Sequence, residues 1–295
     1  MTNTVISAEQ SFELADQALD LLKAVAEEDG TDAFSEQFLR GLTEPELGHE
    51  HLTARVDGAL VGLASSDGQS TELAVHPAFR GRGIGRRLID ASPTPAVWAH
   101  GDTAGARALA ASLHMRKTRE LLVMAVEGRD LETAAVYIDP PGFTSGSLAD
   151  ARGERPDVER AWLRVNNEAF SWHPEQGGWD LDRLHTAMSA RWFTEEDVLL
   201  LWEGPELAGF HWTKRHDPRL WEIYVVGLAD AFRGRGLGDP LVRLGLAHMV
   251  SRGAQRVILY VEADNGPAVR AYAALGFTVA ERHVVYEKTR ATPPN

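Results

Sequence analysis

The sequence predicts an α+β protein in which one structural unit is used twice. Three observations carry that expectation. The chain has 295 residues, and length alone leads one to expect about two domains of roughly 150 residues. A run in the first half, Leu73-Ala74-Val75-His76-Pro77-Ala78-Phe79-Arg80-Gly81-Arg82-Gly83-Ile84-Gly85, returns as Val226-Gly227-Leu228-Ala229-Asp230-Ala231-Phe232-Arg233-Gly234-Arg235-Gly236-Leu237-Gly238, with Ala78 and Ala231 153 residues apart. Around each copy the same order of elements recurs: helices, a hairpin, a strand, the glycine loop, a helix, a strand, a helix and a last strand.

The elements are read from periodicity. Ser11–Ala26 carries apolar residues at helical spacing (Leu14, Ala18, Leu21, Leu22, Val25), and Phe34–Leu42 continues in that style. Leu52–Val56 and Ala59–Ala64 flank Asp57-Gly58, a hairpin turn signal. In the second half Val158–Phe170 and Leu181–Phe193 predict helices, and Val198–Trp202 and Leu207–Thr213 flank the turn Glu203–Glu206. After each glycine loop come an amphipathic helix, a short strand (Ala96–Ala99, Val257–Val261), a further helix and a final strand (Glu120–Val126, His283–Glu287). The join is expected at Gly128–Thr133, before a strand Ala134–Ile138, with Pro140–Ser147 a loop; the domains are then 1–130 and 134–295.

Composition removes several functions. Hydrophobic residues at 44% and charged residues at 25% are ordinary globular values. A net charge of −13 argues against phosphate-backbone binding, so no nucleic-acid partner is expected. With no cysteine there is no disulfide framework, no thiolate metal site and no cysteine nucleophile. No apolar run approaches the roughly 20 residues that span a bilayer, and Met1–Ile6 does not read as a secretory signal. A cytoplasmic monomer with neither membrane partner nor metal is the expectation.

The glycine loops carry the chemistry. Glycine permits positive φ and close approach of a ligand to the backbone. The free N–H groups and dipole at the next helix start favour a phosphate. Arg80, Arg82, Arg233 and Arg235 offer forked donors beside them. No Gly-Lys-Ser/Thr follows, so this is not a Walker loop, and the frame does not fit a dinucleotide fingerprint.

On these residues the chain resembles the GNAT acyltransferase superfamily, whose acyl-coenzyme A signature is Arg/Gln-x-x-Gly-x-Gly/Ala between a strand and a helix. The second half extends the likeness through Leu259–Asn265, Ala268-Val269-Arg270-Ala271-Tyr272 and Leu275-Gly276-Phe277. The resemblance implies two tandem GNAT domains, each a mixed central sheet flanked by helices. Within the superfamily, His173–Trp179, Gly209–Lys214 and Glu222–Gly227 resemble the tandem enzymes of the mycothiol synthase family. That likeness implies transfer of acetyl from acetyl-CoA to the cysteinyl amine of cysteinyl-glucosaminyl-inositol. Asp217-Pro218-Arg219 makes a shorter loop than the likeness leads one to expect, a change at the rim of the site.

The reaction needs a base for the ammonium, donors for the thioester carbonyl and a proton for the leaving thiolate. Glu222 is the candidate base; on a strand it shares a face with Tyr224 and Val226. Tyr272 is the candidate acid. Coenzyme contacts are expected from Leu73, Ala74, Val75, Gly81, Arg82, Gly83, Ile84, Gly85 and Arg86 in the first repeat. In the second they are expected from Val226, Gly227, Leu228, Arg233, Gly234, Arg235, Gly236, Leu237, Gly238 and Asp239, and from Asn265, Gly266, Pro267, Ala268, Val269 and Arg270. The likeness carries over Glu36, Glu175, Lys214, Glu222 and Tyr260 as acceptor-binding residues, and His211 with Trp212 reads as a sugar-binding wall.

In the first repeat the loop is complete but the catalytic positions are not. Eleven residues before Arg80, as Glu222 stands before Arg233, is Gln69, and Ala110 falls where Tyr272 stands. This repeat is expected to hold the fold, and acetyl-CoA, without catalysing transfer; the rival reading gives His100 or His114 the base's role. Two alternatives stay open at this point: a tandem enzyme for another amine, such as an aminoglycoside or a peptide N-terminus, and a noncatalytic acyl-CoA sensor.

Overall fold

The computed structural model describes residues 4–9, 11–171 and 176–288, the side chains of 11–13 excepted. Two compact units make it up: residues up to 122 with 262–264 and 281 onward, and residues 123–261 with 265–280. The compact units therefore differ from the linear halves 1–130 and 134–295. The chain's last strand pairs within the first unit, Val284↔Ala99 to Glu287↔Ala96, and buries Val284 and Val285 there.

The first unit runs β1 (Thr4–Glu9), α1 (Ser11–Asp29), α2 (Glu36–Gly41), β2 (Glu50–Val56), β3 (Ala59–Ser66), β4 (Ser70–Val75), α3 (Ile84–Ala91), β5 (Ala96–Ala99), α4 (Ala104–Ser112) and into β6 (Met115–Glu127). β1 was not legible in the sequence; it pairs antiparallel with β2 from Thr4↔Val56 to Glu9↔His51. At the β2–β3 turn Asp57 and Gly58 have φ of 50° and 85°, as a tight hairpin demands. β4 pairs antiparallel with β3 and parallel with β5, so the sheet is mixed. The stripe Leu14, Ala18, Leu21, Leu22 and Val25 of α1 is buried against Leu63 and Ala74.

The second unit continues through α5 (Gly128–Ala134), β7 (Thr144–Ser147), α6 (Leu148–Glu154), α7 (Val158–Ala169), α8 (Leu181–Met188), β8 (Val198–Glu203), β9 (Glu206–Arg215), β10 (Leu220–Leu228), α9 (Gly238–Ser251), β11 (Arg256–Glu262) and α10 (Gly266–Ala274), before β12 (Thr278–Lys288). The expected strand Ala134–Ile138 does not form. Gly128–Ala134 is helical instead, burying Leu131 and Ala134, and Val136 and Ile138 are left exposed. The stretch expected as a loop contains β7, paired antiparallel with β8, and the helix expected to reach Phe193 ends at Met188. Trp162 of α7 packs edge-on against Phe210 and Trp212 of β9, with centroids 5.9 and 5.2 Å away, at the centre of this unit's core. Among the described residues no helix is long and apolar enough to cross a membrane.

His211 and Trp212 belong to this core, with 0% and 2% exposure, and so do not form the sugar-binding wall expected of them. His211 Nδ1 lies 2.9 Å from the Leu241 carbonyl, so it carries the donated proton, while Nε2 is buried without a partner. Burial pushes this imidazole down to about 4, and burial with the neighbouring His100 does the same to His283. The unfolded chain, with imidazoles near 6.5, then binds protons that the folded chain refuses. The associated stability is complete above about pH 6.5 and is lost as pH falls toward about 4. The melting temperature is therefore expected to drop across that interval. His211→Asn, whose amide still reaches Leu241 but takes no proton, should show a shallower drop in a thermal scan series. Equal slopes would remove His211 as a contributor.

Candidate active site

The second unit's candidate base, Glu222, lies where a parallel ladder stops. β10 pairs with β11 from Leu220↔Arg256 to Ile223↔Leu259, after which β10 runs on to Leu228 and β11 to Glu262. On the other side β10 pairs with β9, and the register shifts between Ile223↔Thr213 and Val225↔Trp212, leaving Tyr224 as an extra residue. Such a bulge re-aims side chains and increases local twist. It also corrects the expected face. Cross-strand partners share a face, so Glu222 (opposite Lys214) continues as Val225 and Gly227, whereas Val226 (opposite His211) lies on the other side. Tyr224 stays on the Glu222 side, its ring 5.1 Å from that of Trp212.

Glu222 is 6% exposed, and its Oε2 lies 2.7 Å from His216 Nε2. Lys214, its cross-strand partner, is also buried, with Nζ 4.9 Å from the Trp192 ring centre and 5.7 Å from that of Tyr224. Tyr260 stands on β11 one residue past the last ladder pair and is 48% exposed. Tyr272 is on α10 with its ring edge-on to Phe277 at 5.7 Å, and burial pushes its phenol up to about 12. Asn265 caps α10, its side chain accepting from Ala268 N–H at 3.3 Å. Glu36 begins α2 in the first unit, and Glu175 lies outside the described residues.

The glycine loops take the expected form in both units. Gly81, Gly83, Gly234 and Gly236 have φ between +73° and +77°, and a Cβ on any of them would meet nothing within 4 Å. The space beside Gly236 and Gly83 is thus open to a ligand, and each loop runs into a helix, α9 or α3. The arginines are engaged. Arg80 makes a two-pronged pair with Asp29 at 2.7 and 2.8 Å, Arg233 pairs with Asp230 at 3.0 Å, and Arg235 pairs with Glu203 at 2.5 Å. Arg82 donates to the Ala78 carbonyl and lies over the Phe79 ring. The loop backbone is a candidate anion holder alongside these exposed, paired arginines.

In the first unit a cavity of about 500 Å³ is lined by Val75, Phe79, Gly83, Trp98 and His100 among others. Here counting from the loop misleads: Gln69 is in the turn before β4, while Glu72, eight residues before Arg80, is the buried carboxylate. It stands at the last ladder pair, Glu72↔Trp98. Both its oxygens are taken, Oε2 by Ser35 N–H at 2.7 Å and Oε1 by His100 Nε2 at 2.8 Å. His100 Nδ1 in turn lies 3.0 Å from His283 Nδ1. Both ring nitrogens of His100 thus have partners, and His114 is exposed in the turn after α4.

Two family models match the chain, the acetyltransferase (GNAT) family over residues 161–277 and an acetyltransferase (GNAT) domain over 48–138. A mycothiol acetyltransferase of Corynebacterium efficiens is 66% identical over 94% of this chain and 93% of its own. One from Corynebacterium aurimucosum is 50% identical over 98% of each chain. The chain belongs to the mycothiol acetyltransferase family. It is therefore an N-acetyltransferase of the GNAT class. The fold is shared with a GCN5-related N-acetyltransferase from Sphaerobacter thermophilus (TM-score 0.73, 23% identity, 97% and 95% of the two chains covered). It is shared too with a tandem GNAT protein of the clavulanic acid biosynthesis pathway (TM-score 0.68, 20% identity, 98% and 100% covered).

Proposed function

We propose that the second unit acetylates the cysteinyl amine of cysteinyl-glucosaminyl-inositol with acetyl-CoA, giving mycothiol, and that the first unit binds acetyl-CoA without catalysis. One observation carries the reading most: a buried carboxylate, Glu222, beside the point where β10 and β11 part. Bound acetyl-CoA supplies the activated acetyl group. The glycine loop Arg233–Gly238 and the start of α9 hold phosphate through backbone N–H groups. Glu222 accepts the proton of the acceptor's ammonium, whose pKa of about 7.7–8.0 demands only mild help. Backbone N–H groups of Val226–Leu228 serve the thioester carbonyl as its oxygen gains charge.

Tyr272 donates a hydrogen bond to the departing sulfur. Burial pushes its phenol up to about 12, so it holds its proton firmly while donating that hydrogen bond. The first unit's acid is consumed by Ser35 and His100, and Ala110 stands where Tyr272 would be, which supports a binding role alone.

Three outcomes test this. Gly236→Val, measured by calorimetric titration, should weaken acetyl-CoA at the second unit by roughly a hundredfold or more, as strain and obstruction combine, while Arg235→Gln costs less than about tenfold because Glu203 already neutralises it. Undiminished binding in folded Gly236→Val would refute the loop's role. Glu222→Gln should cut turnover on the order of 10²–10⁴-fold, most at low pH where the amine is protonated, with acetyl-CoA affinity unchanged; a parental pH–rate profile would remove Glu222 as base. The double variant Glu222→Gln/Tyr272→Phe, assayed with cysteinyl-glucosaminyl-inositol, an aminoglycoside and a peptide amine, should transfer to none of them. Substantial residual transfer that Gly83→Val abolishes would make the first unit an enzyme.

A further inference from the structure

We propose that His216 is the positioning residue for Glu222, and that the short β9–β10 hairpin exists to put it there. The proposal rests on the reading of Glu222 as base. Its starting point is a buried carboxylate with one oxygen already committed: Oε2 lies 2.7 Å from His216 Nε2. A carboxylate only accepts, so Nε2 carries the proton and donates it. That leaves Oε1 as the oxygen that meets the acceptor's ammonium. Glutamate has several rotatable bonds, and a base must stay within hydrogen-bond reach of the proton it removes. A fixed donor at Oε2 supplies that restraint, and it offsets the cost of burying the charge.

His216 can act as a fixed donor because its own backbone is held. His216 N–H donates to the Leu220 carbonyl at 3.0 Å, and Asp217 N–H donates to the same oxygen at 3.2 Å. The Asp217 carboxylate closes the turn by accepting from Arg219 N–H at 2.6 Å and Leu220 N–H at 2.9 Å, bonds that hold it below the usual carboxylate range. The segment Asp217-Pro218-Arg219 is thus a closed turn, and its shortness places residue 216 over residue 222. A longer loop would let the imidazole drift. The imidazole is 31% exposed and Glu222's side chain 8%, so the histidine braces the carboxylate from the solvent side. Lys214, opposite Glu222 on β9, has its ammonium over the Trp192 and Tyr224 rings.

The test uses the full-length chain, steady-state kinetics in both substrates, and variants His216→Ala and His216→Gln. His216→Ala is expected to lower kcat by roughly ten- to hundredfold, what a hydrogen bond to a charged group is worth, with KM for acetyl-CoA within about twofold. His216→Gln, whose side-chain amide donates to the same oxygen, should recover most of that loss. In the Glu222→Gln background His216→Ala should cost little more, since two groups acting as a unit are not additive. Parental kcat in His216→Ala, or His216→Gln as impaired as His216→Ala with both variants melting like the parent, would overturn the proposal. If Glu222→Gln is slow while His216→Ala is normal, only this inference fails; if Glu222→Gln itself turns over like the parent, the reading of Glu222 as base fails and this falls with it.

Discussion

A parallel ladder persists only while its strands keep about 4.7–4.9 Å apart, and in the second unit β10 and β11 stop meeting that condition after Ile223 and Leu259. The candidate base Glu222 lies beside that parting. The bulge at Tyr224 falls at the same place, so β10 is both released on one side and twisted on the other. Glu222 is the last carboxylate held inside the ladder before the opening. The backbone groups of Val226–Leu228 come after it, beyond the reach of β11's ladder. Gly227 makes the arrangement possible from behind, because a Cβ there would lie 2.8 Å from Ala169 and 3.0 Å from Phe210.

In the first unit the parallel strands part as well, β4 running on to Val75 after its last pair with β5, but β4 carries no bulge. Its β3–β4 register runs without a shift, and β5 ends one residue beyond the last pair with β4. The buried carboxylate is present in Glu72, yet it is locked by Ser35 and His100 instead of leaving an oxygen open. Both units keep the positive-φ glycines and the helix start.

Charge recognition is likewise less direct than the number of loop arginines implies. Asp29, Asp230 and Glu203 each engage one of them, and such exposed pairs are individually weak. The loop's backbone N–H groups stand beside them as further candidate anion donors.

Glycine spacing, the Asp57-Gly58 turn and the apolar stripe of α1 were legible in the sequence because each is a local signal: φ, a tight turn and a helical period depend on near neighbours in the chain. The likeness carried by Tyr272 and Leu275-Gly276-Phe277 was legible for the same reason. Glu72 was missed because counting assumes equal strands, and the second unit's strand, with its bulge, is longer between the acid and the loop. Trp212 was misread because an aromatic beside a lysine looks the same whether the sheet face it occupies is open or covered by α7. His216 gave only the faint signal of a turn at Asp217-Pro218. The sequence by itself determined the repeat and the family, and it named candidate residues for the chemistry. Only the tertiary structure decided which carboxylate oxygens are free, which face of β10 each side chain takes and in which compact unit the last strand lies, because those depend on register and packing between segments distant in the chain.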